Sequence, residues 1–145
     1  MTLTNANLYS EGYTLVKNFL NGIAGLDPKD RAKANWIHAT PPSVNGKAFD
    51  GYPYMVLRVD VSEDKKSFNP AVSEKIFRVL ISVYSNEPTD IDTICDSINS
   101  ALKTETNLTD FGSKEISSSP FQWDTDDHGK KICFRNLGFI MRSRI

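Results

Sequence analysis

Hydrophobic and polar positions are most regular between Glu74 and Leu102, where they predict a strand followed by a helix. Residues 75–84 are apolar on both sides of the two-residue repeat, which is typical of a strand in the middle of a sheet. Pro88 suits the first turn of a helix, because its missing N–H is not needed there. The apolar stripe at helical spacing is Ile91, Ile94, Cys95, Ile98 and Leu102.

Three further segments have a clear period. Residues 8–23 carry an apolar stripe at helical spacing and predict an N-terminal helix. Residues 36–39 predict either a short strand or an anchoring segment before Pro41-Pro42. Residues 54–61 alternate strictly, with Met55, Leu57, Val59 and Val61 on one side, and predict a half-buried strand.

The end of the chain predicts a hairpin of residues 115–125 and 130–144, joined by Asp126-Asp-His-Gly129. If residue 126 pairs with residue 129, Trp123 lies opposite Ile132 and Phe121 lies opposite Phe134. That pairing sends Leu137, Phe139 and Met141 to the other face of the sheet. A bulge at Asn136 and Gly138 would bring these three and Ile132 and Phe134 to one side.

Residues 40–53 contain three prolines and two glycines without periodicity, and predict an extended loop or arm. Its apolar side chains Val44 and Phe49 need a surface, either on this domain or on a neighbouring subunit. The whole pattern predicts one α+β domain over residues 1–145. We expect a mostly antiparallel sheet of about four to five strands, with the N-terminal and central helices packed on one face and a long C-terminal hairpin.

The composition of the chain argues against some classes of function. The chain has 145 residues, enough for its own core, with 17 basic against 18 acidic side chains and a net charge of -1. This balance argues against a nucleic-acid binder that works through a strongly basic surface. The N-terminus lacks a signal-peptide pattern and no apolar run reaches about 18 residues, so we expect a cytosolic protein without a membrane span. Cys95 and Cys133 are interpreted as small buried hydrophobic residues.

Candidate site chemistry is sparse. His38 and His128 occur without metal-ligand spacing, and the acidic residues Asp124, Asp126 and Asp127 lack a calcium-loop pattern. The basic residues of positions 130–144 favour a solvated strand face, with a polyanion or an acidic partner as the alternative. No nucleophile elbow or phosphate loop occurs in the sequence. We therefore expect that the protein is not an enzyme and that it binds neither a cofactor nor a metal ion.

The layout of the chain resembles small tail-terminator or tail-completion proteins of long-tailed bacteriophages. The resemblance covers nearly the whole sequence and is carried most by three segments. They are Tyr52-Pro-Tyr54 entering the first long strand, Val83-Tyr84-Ser85-Asn86 running into the helix of residues 91–102, and the last strand of residues 134–142.

This resemblance implies a ring, usually of six subunits, that caps the tail tube and presents a surface to the neck of the head. Its implied partners are further copies of the chain, the tail tube protein and a neck or head-completion protein. DNA would pass through the lumen without sequence-specific binding. The protein would be assembled in the host cytoplasm and located in the virion. The interface residues predicted by loose mapping are Phe49, Tyr52, Tyr54, Lys65, Phe68, Asp126, His128 and Lys130.

Two alternatives stay open at this point. The first is another neck, head-closure or tail tube protein. The second is a small-ligand-binding regulatory domain with a pocket near Trp36 and Trp123, although tryptophans are more often core or interface residues.

Overall fold

The computed structural model of this protein describes residues 8–31, 36–41, 51–66, 73–104, 113–125 and 129–144, with the backbone alone at 8, 62–66, 73–75, 113–116, 143 and 144. The described residues form two helices and six strands, so the chain is α+β as predicted. In chain order they are α1 (Leu8–Asn21), β1 (Ile37–His38), β2 (Tyr54–Lys66), β3 (Ser73–Ser85), α2 (Pro88–Lys103), β4 (Ser113–Ser118), β5 (Gln122–Thr125) and β6 (Lys131–Arg144).

All six strands belong to one sheet with the order β1, β2, β3, β6, β4, and β5 also pairs with β6. The short β1 runs parallel to β2, and every other pairing is antiparallel. The strand predicted to be central, β3, lies between β2 and β6. Strand β3 therefore pairs with a neighbour along both of its edges. On each face of the sheet, its side chains lie beside those of β2 and β6.

Both helices pack on the same face of the sheet, as predicted. On this face Met55, Leu57 and Val59 of β2 are at most 1% exposed. They pair with Val83, Ile81 and Val79 of β3. Side chains from α1 and α2 complete this core: Leu15, Val16, Phe19, Leu20, Ile91, Ile94, Cys95, Ile98 and Leu102.

Helix α2 begins at Pro88, as the sequence predicts, and its whole predicted stripe is buried. Just before the helix, the Ser85 hydroxyl accepts a hydrogen bond of 3.0 Å from the backbone N–H of Glu87. Asp90 in the first turn and Lys103 in the last turn complement the helix dipole. The strand-to-helix stretch is thus fixed by burial on one side and by charge at the two helix ends.

Helix α1 approaches the sheet most closely at Gly12. A Cβ atom at this position would lie 3.0 Å from Cε1 of Phe77 and 3.4 Å from Cγ1 of Val59. Gly12 therefore allows a distance between helix and sheet that a larger residue would not. The helix ends at Asn21, two residues before the predicted end.

The predicted hairpin register is wrong by one residue. Trp123 lies opposite Cys133 and Asp124 lies opposite Ile132. The bulge predicted at Asn136 and Gly138 is also wrong, because β6 pairs with β3 without a shift from Cys133 to Arg144.

The extra residue lies instead between β4 and β5, which both pair with β6. Ser118 pairs with Leu137 and Gln122 pairs with Phe134. From one pair to the next, the chain advances by four residues on the β4–β5 side and by three residues on β6. Pro120 lies in this break, where a missing N–H is tolerated. Ile132 belongs to a second apolar cluster, on the face away from the helices. Because that face has its own apolar cluster, β6 needs no bulge.

Candidate functional site

The face of the sheet opposite the two helices carries a series of contacting rings, of which Tyr54, Tyr84 and Phe134 are stacked. Tyr54 is at its centre, with the ring centroids of Tyr84 at 4.9 Å, Tyr52 at 5.6 Å and His38 at 5.9 Å. The Phe134 ring follows at 5.4 Å from Tyr84. We call these five residues the aromatic row. It crosses β1, β2, β3 and β6 and stabilises their pairing.

Two side chains of the aromatic row, Tyr54 and His38, have shifted pKa values. Burial raises the pKa of Tyr54, and the neighbouring hydroxyls of Tyr52 and Tyr84 raise it further. Burial lowers the pKa of His38, and the positive charges of Arg31 and Lys17 lower it further. Both shifts favour the uncharged forms, which suit an apolar cluster.

Further along the same face the surface is exposed and mixed in character. Leu80 is 38% exposed. A groove of about 410 Å³ lies around it, lined by Leu80, Gly138, Ile140, Arg78 and Asp60 among others. Gly138 lies opposite Leu80 on β6, and a Cβ atom at this position would lie 3.3 Å from the Ser117 hydroxyl oxygen. We call Leu80 the exposed ridge. An exposed apolar side chain beside a groove with charged borders suits contact with another protein.

A second feature is the guanidinium group of Arg31, which joins parts of the chain that are distant in sequence. It donates to both carboxylate oxygens of Asp27, at 3.0 and 3.2 Å. It also donates to the carbonyl oxygen of Gly51 at 2.8 Å and to that of Pro53. The group lies over the ring of Trp36, 5.6 Å from its centroid. We call this arrangement the Arg31 clasp; it fixes the chain immediately before β2.

The carboxylate of Asp27 is held in its charged form. Burial would raise the pKa of Asp27, but the hydrogen bonds from the Arg31 side chain and from the backbone N–H groups of Lys29 and Arg31 outweigh it. The two backbone bonds are both 2.9 Å long. The pKa of Asp27 is therefore lowered, because a carboxylate that accepts several hydrogen bonds beside a cation loses its proton more readily.

The two tryptophans lie at opposite edges of the sheet. Trp123 on β5 is 60% exposed and lines a cavity of about 330 Å³ with Asp124, Thr125 and Lys131. Trp36 precedes β1, is 3% exposed and lines a separate cavity of about 320 Å³. Four strand spacings, roughly 19 Å, separate β1 from β5. The single pocket near both tryptophans considered from the sequence is therefore wrong.

The predicted interface residues fall into three groups. Tyr52 and Tyr54 are 6% and 7% exposed and belong to the aromatic row. Lys130 is exposed beside the hairpin connection, and the backbone of Lys65 pairs with Glu74. Phe49, Phe68, Asp126, His128 and the arm at 42–50 lie outside the described residues.

Two residues of these surfaces, Leu80 and Arg31, were not singled out by the sequence, and a third, Trp123, was given the wrong partner. Leu80 could have been found, because it is an apolar residue on the side of β3 that also carries Arg78. Trp123 was assigned to a cross-strand pair through the wrong register. Arg31 gave no signal, since its carbonyl partners at Gly51 and Pro53 are about twenty positions away.

The two cysteines are free and buried, as expected from the sequence. Burial raises the pKa of Cys95 to about 11 and also raises that of Cys133. Within the described ranges, no three His, Cys, Asp or Glu side chains come together as a metal site. Neither described helix is long and apolar enough to cross a membrane.

Two comparisons, with protein family models and with curated proteins, were made for this chain. No protein family model matches the chain, and no curated protein matches it either.

Proposed function

We propose that this chain is a non-enzymatic virion assembly protein, a tail terminator that forms a ring on the tail tube of a long-tailed bacteriophage. The observation that carries the proposal is the placement of both described helices on one face of the sheet. The opposite face carries the aromatic row and the exposed ridge at Leu80. A sheet face of this kind suits contact with another protein.

The order of elements supports the same proposal. A helix, two long antiparallel strands, a second helix and a long closing hairpin follow one another along the chain. This is the layout on which the resemblance to tail terminators rests. The strand that ends in Val83-Tyr84-Ser85 leads through Asn86 into α2, and β6 extends along the full length of β3.

In this role the ring, of about six copies by the resemblance, closes the finished tube. One side of the ring contacts the tail tube protein, and the other side contacts the neck or head-completion protein. DNA passes through the lumen without sequence-specific contacts. The protein is assembled in the host cytoplasm and becomes part of the virion.

The direct test adds the purified protein to tail tubes assembled without a terminator and images the tube ends by negative-stain electron microscopy. We expect one ring on one end of each tube and no further growth of the tube. Polymerisation into long tubes would instead identify a tube protein. A protein that stays monomeric and never binds a tube end contradicts the proposal.

We call the face of the sheet opposite the two described helices the helix-free face. Its contribution to assembly can be tested with a matched pair of variants. Leu80→Asp places a charge on the exposed ridge, whereas Ser100→Asp places the same charge on the exposed side of α2. Both positions are exposed, so both variants should fold, which circular dichroism checks. We expect Leu80→Asp to lose ring formation or tube binding and Ser100→Asp to retain both. Equal behaviour of the two variants contradicts a role for this face.

A further inference from the structure

We propose that neighbouring copies join edge to edge, with Trp123 of one copy inserted into the cavity beside Trp36 of the next. The inference rests on the proposed ring function and deepens it by naming the contact. The contact is heterologous, since it joins one surface of one copy to a different surface of the next copy. Contacts of this type generate a ring when the rotation from each copy to the next adds up to a full turn.

Trp123 has the properties of the inserted residue. It is the most exposed large hydrophobic side chain among the described residues, at 60%. It stands on a strand of the sheet, which gives it a defined position. Tryptophan is enriched among the residues that contribute most to binding energy, because it buries a large area at low entropic cost.

The cavity at the other edge has the size to receive one indole ring. Its volume is about 320 Å³. Its lining is mixed, with an apolar part from Leu20, Ile23, Leu26 and Trp36 and a polar part from Asn21, Asp27, Asp30 and Arg31. Arg31 lies at the same cavity and can approach the face of an aromatic ring, as it already does with Trp36. The last turn of α1 also borders the cavity, and carbonyl groups at a helix C-terminus can accept the indole N–H.

Charged groups of opposite sign can meet across the contact. Asp124 and Lys131 line the groove of Trp123, and Lys130 beside it is exposed. Asp27, Asp30 and Arg31 line the receiving cavity, and Arg31 is already paired with Asp27. Asp30 is exposed, so Lys130 and Lys131 of one copy can pair with Asp30 of the next.

The two surfaces also lie at the same height on the sheet. Trp123 pairs with Cys133, which pairs with Ser85 of β3. At the other edge, Trp36 directly precedes Ile37, which pairs with Met55 and through it with Val83. The two tryptophans are thus about one residue apart along the strand direction, so adjacent copies can meet without a large displacement along the strands.

The first experiment compares the native protein with Trp123→Ala and with Tyr9→Ala as control, by sedimentation over a range of concentrations. Tyr9 is 55% exposed on α1, so its replacement also removes an exposed aromatic ring. We expect Trp123→Ala to weaken association at least about tenfold and Tyr9→Ala to leave it unchanged. If the native protein forms rings and Trp123→Ala forms them equally well, this contact is wrong while the proposed function stands. A native protein that never associates overturns both.

A second experiment tests the direction of the contact. Ala24 lines the receiving cavity and is exposed, so Ala24→Arg should obstruct the cavity without disturbing the core. Trp123→Ala and Ala24→Arg should each be monomeric alone. Their mixture should form a one-to-one dimer, because one copy supplies the tryptophan and the other an open cavity. A mixture that remains monomeric overturns the proposal.

Tryptophan fluorescence provides an independent readout. The chain has two tryptophans, of which Trp36 is already buried in the single copy. Iodide should therefore quench the emission of Trp123 in dilute native protein and lose most of this effect as the protein associates. Quenching that stays constant while the sedimenting mass rises overturns the insertion of Trp123.

Discussion

Arg31 contacts four groups of the described structure at once. It binds the carboxylate of Asp27, the carbonyl oxygens of Gly51 and Pro53, and the face of the Trp36 ring. A planar guanidinium with several N–H donors can make all of these contacts at once. The start of β2, and with it the first tyrosines of the aromatic row, is therefore held by one side chain.

Replacing Arg31 should destabilise the protein measurably. Arg31→Ala leaves the partly buried Asp27 without its cation, so we expect the free energy of unfolding to fall by about 1 to 3 kcal/mol. Arg31→Lys keeps the charge but loses the planar arrangement of donors, and should recover only part of this loss. Urea unfolding of the three proteins measures the difference. Equal stability of native protein and Arg31→Ala would show that the clasp contributes nothing.

The Arg31 clasp should also make stability depend on pH. The pKa of Asp27 is lower in the folded than in the unfolded protein. Its contribution is therefore fully present above the unfolded value of about 3.9 and is lost as the pH falls through the folded value. Asp27→Asn should show a smaller loss of stability between neutral pH and about pH 3 than the native protein does. Thermal melts over this range provide the measurement, and parallel curves would contradict the assignment.

At the level of elements, α1 is positioned by its close contact at Gly12. Gly12→Ala should gain about 1 kcal/mol from helix propensity. The new methyl group would lie about 3 Å from the fully buried Phe77 ring, and overpacking of this kind typically costs about 1 to 3 kcal/mol. We expect a net loss of about 1 kcal/mol in the free energy of unfolding.

Gly22→Ala is the matched control for this substitution. Its Cβ would meet no atom closer than 3.4 Å, and Gly22 does not require a positive φ. The control should therefore change stability by less than about 0.5 kcal/mol. A Gly12→Ala protein more stable than the control protein would contradict tight packing of α1 on the sheet.

The elements with strong periodicity could be predicted from the sequence, because burial fixed them. The stripe from Ile91 to Leu102 and the two-sided pattern of β3 each have one satisfactory arrangement. The hairpin register could not be predicted in the same way. It depends on a one-residue break around Pro120 and on an apolar cluster at Ile132 that lies on the second face.

The candidate surfaces were less predictable than the fold for a related reason. Tyr52 and Tyr54 were predicted as interface residues, and in the structure Tyr54 packs against rings from distant segments. His38 meets the Tyr54 ring edge-on, Tyr84 stacks on Tyr54, and Phe134 stacks on Tyr84. Exposure of Trp123 depends on the register of β5, which alternation alone does not determine. Contacts between segments far apart in sequence leave no local pattern to read.

At the scale of the whole molecule, three distinct surfaces of the described residues are proposed for contact with other chains. They are the helix-free face with Leu80, the edge with Trp123, and the opposite edge with the cavity at Trp36. In the proposed ring the two edges join successive copies. The helix-free face is then left for the tail tube or for the neck.

The central claim is that copies of this chain close into a ring of fixed size. Native mass spectrometry of the purified protein tests this most directly, because it counts the chains in each assembly. The account predicts one discrete oligomer, expected at six chains, which gives way to monomers in Trp123→Ala. A protein that remains monomeric at every concentration, or that forms an open-ended series of oligomers, would contradict it.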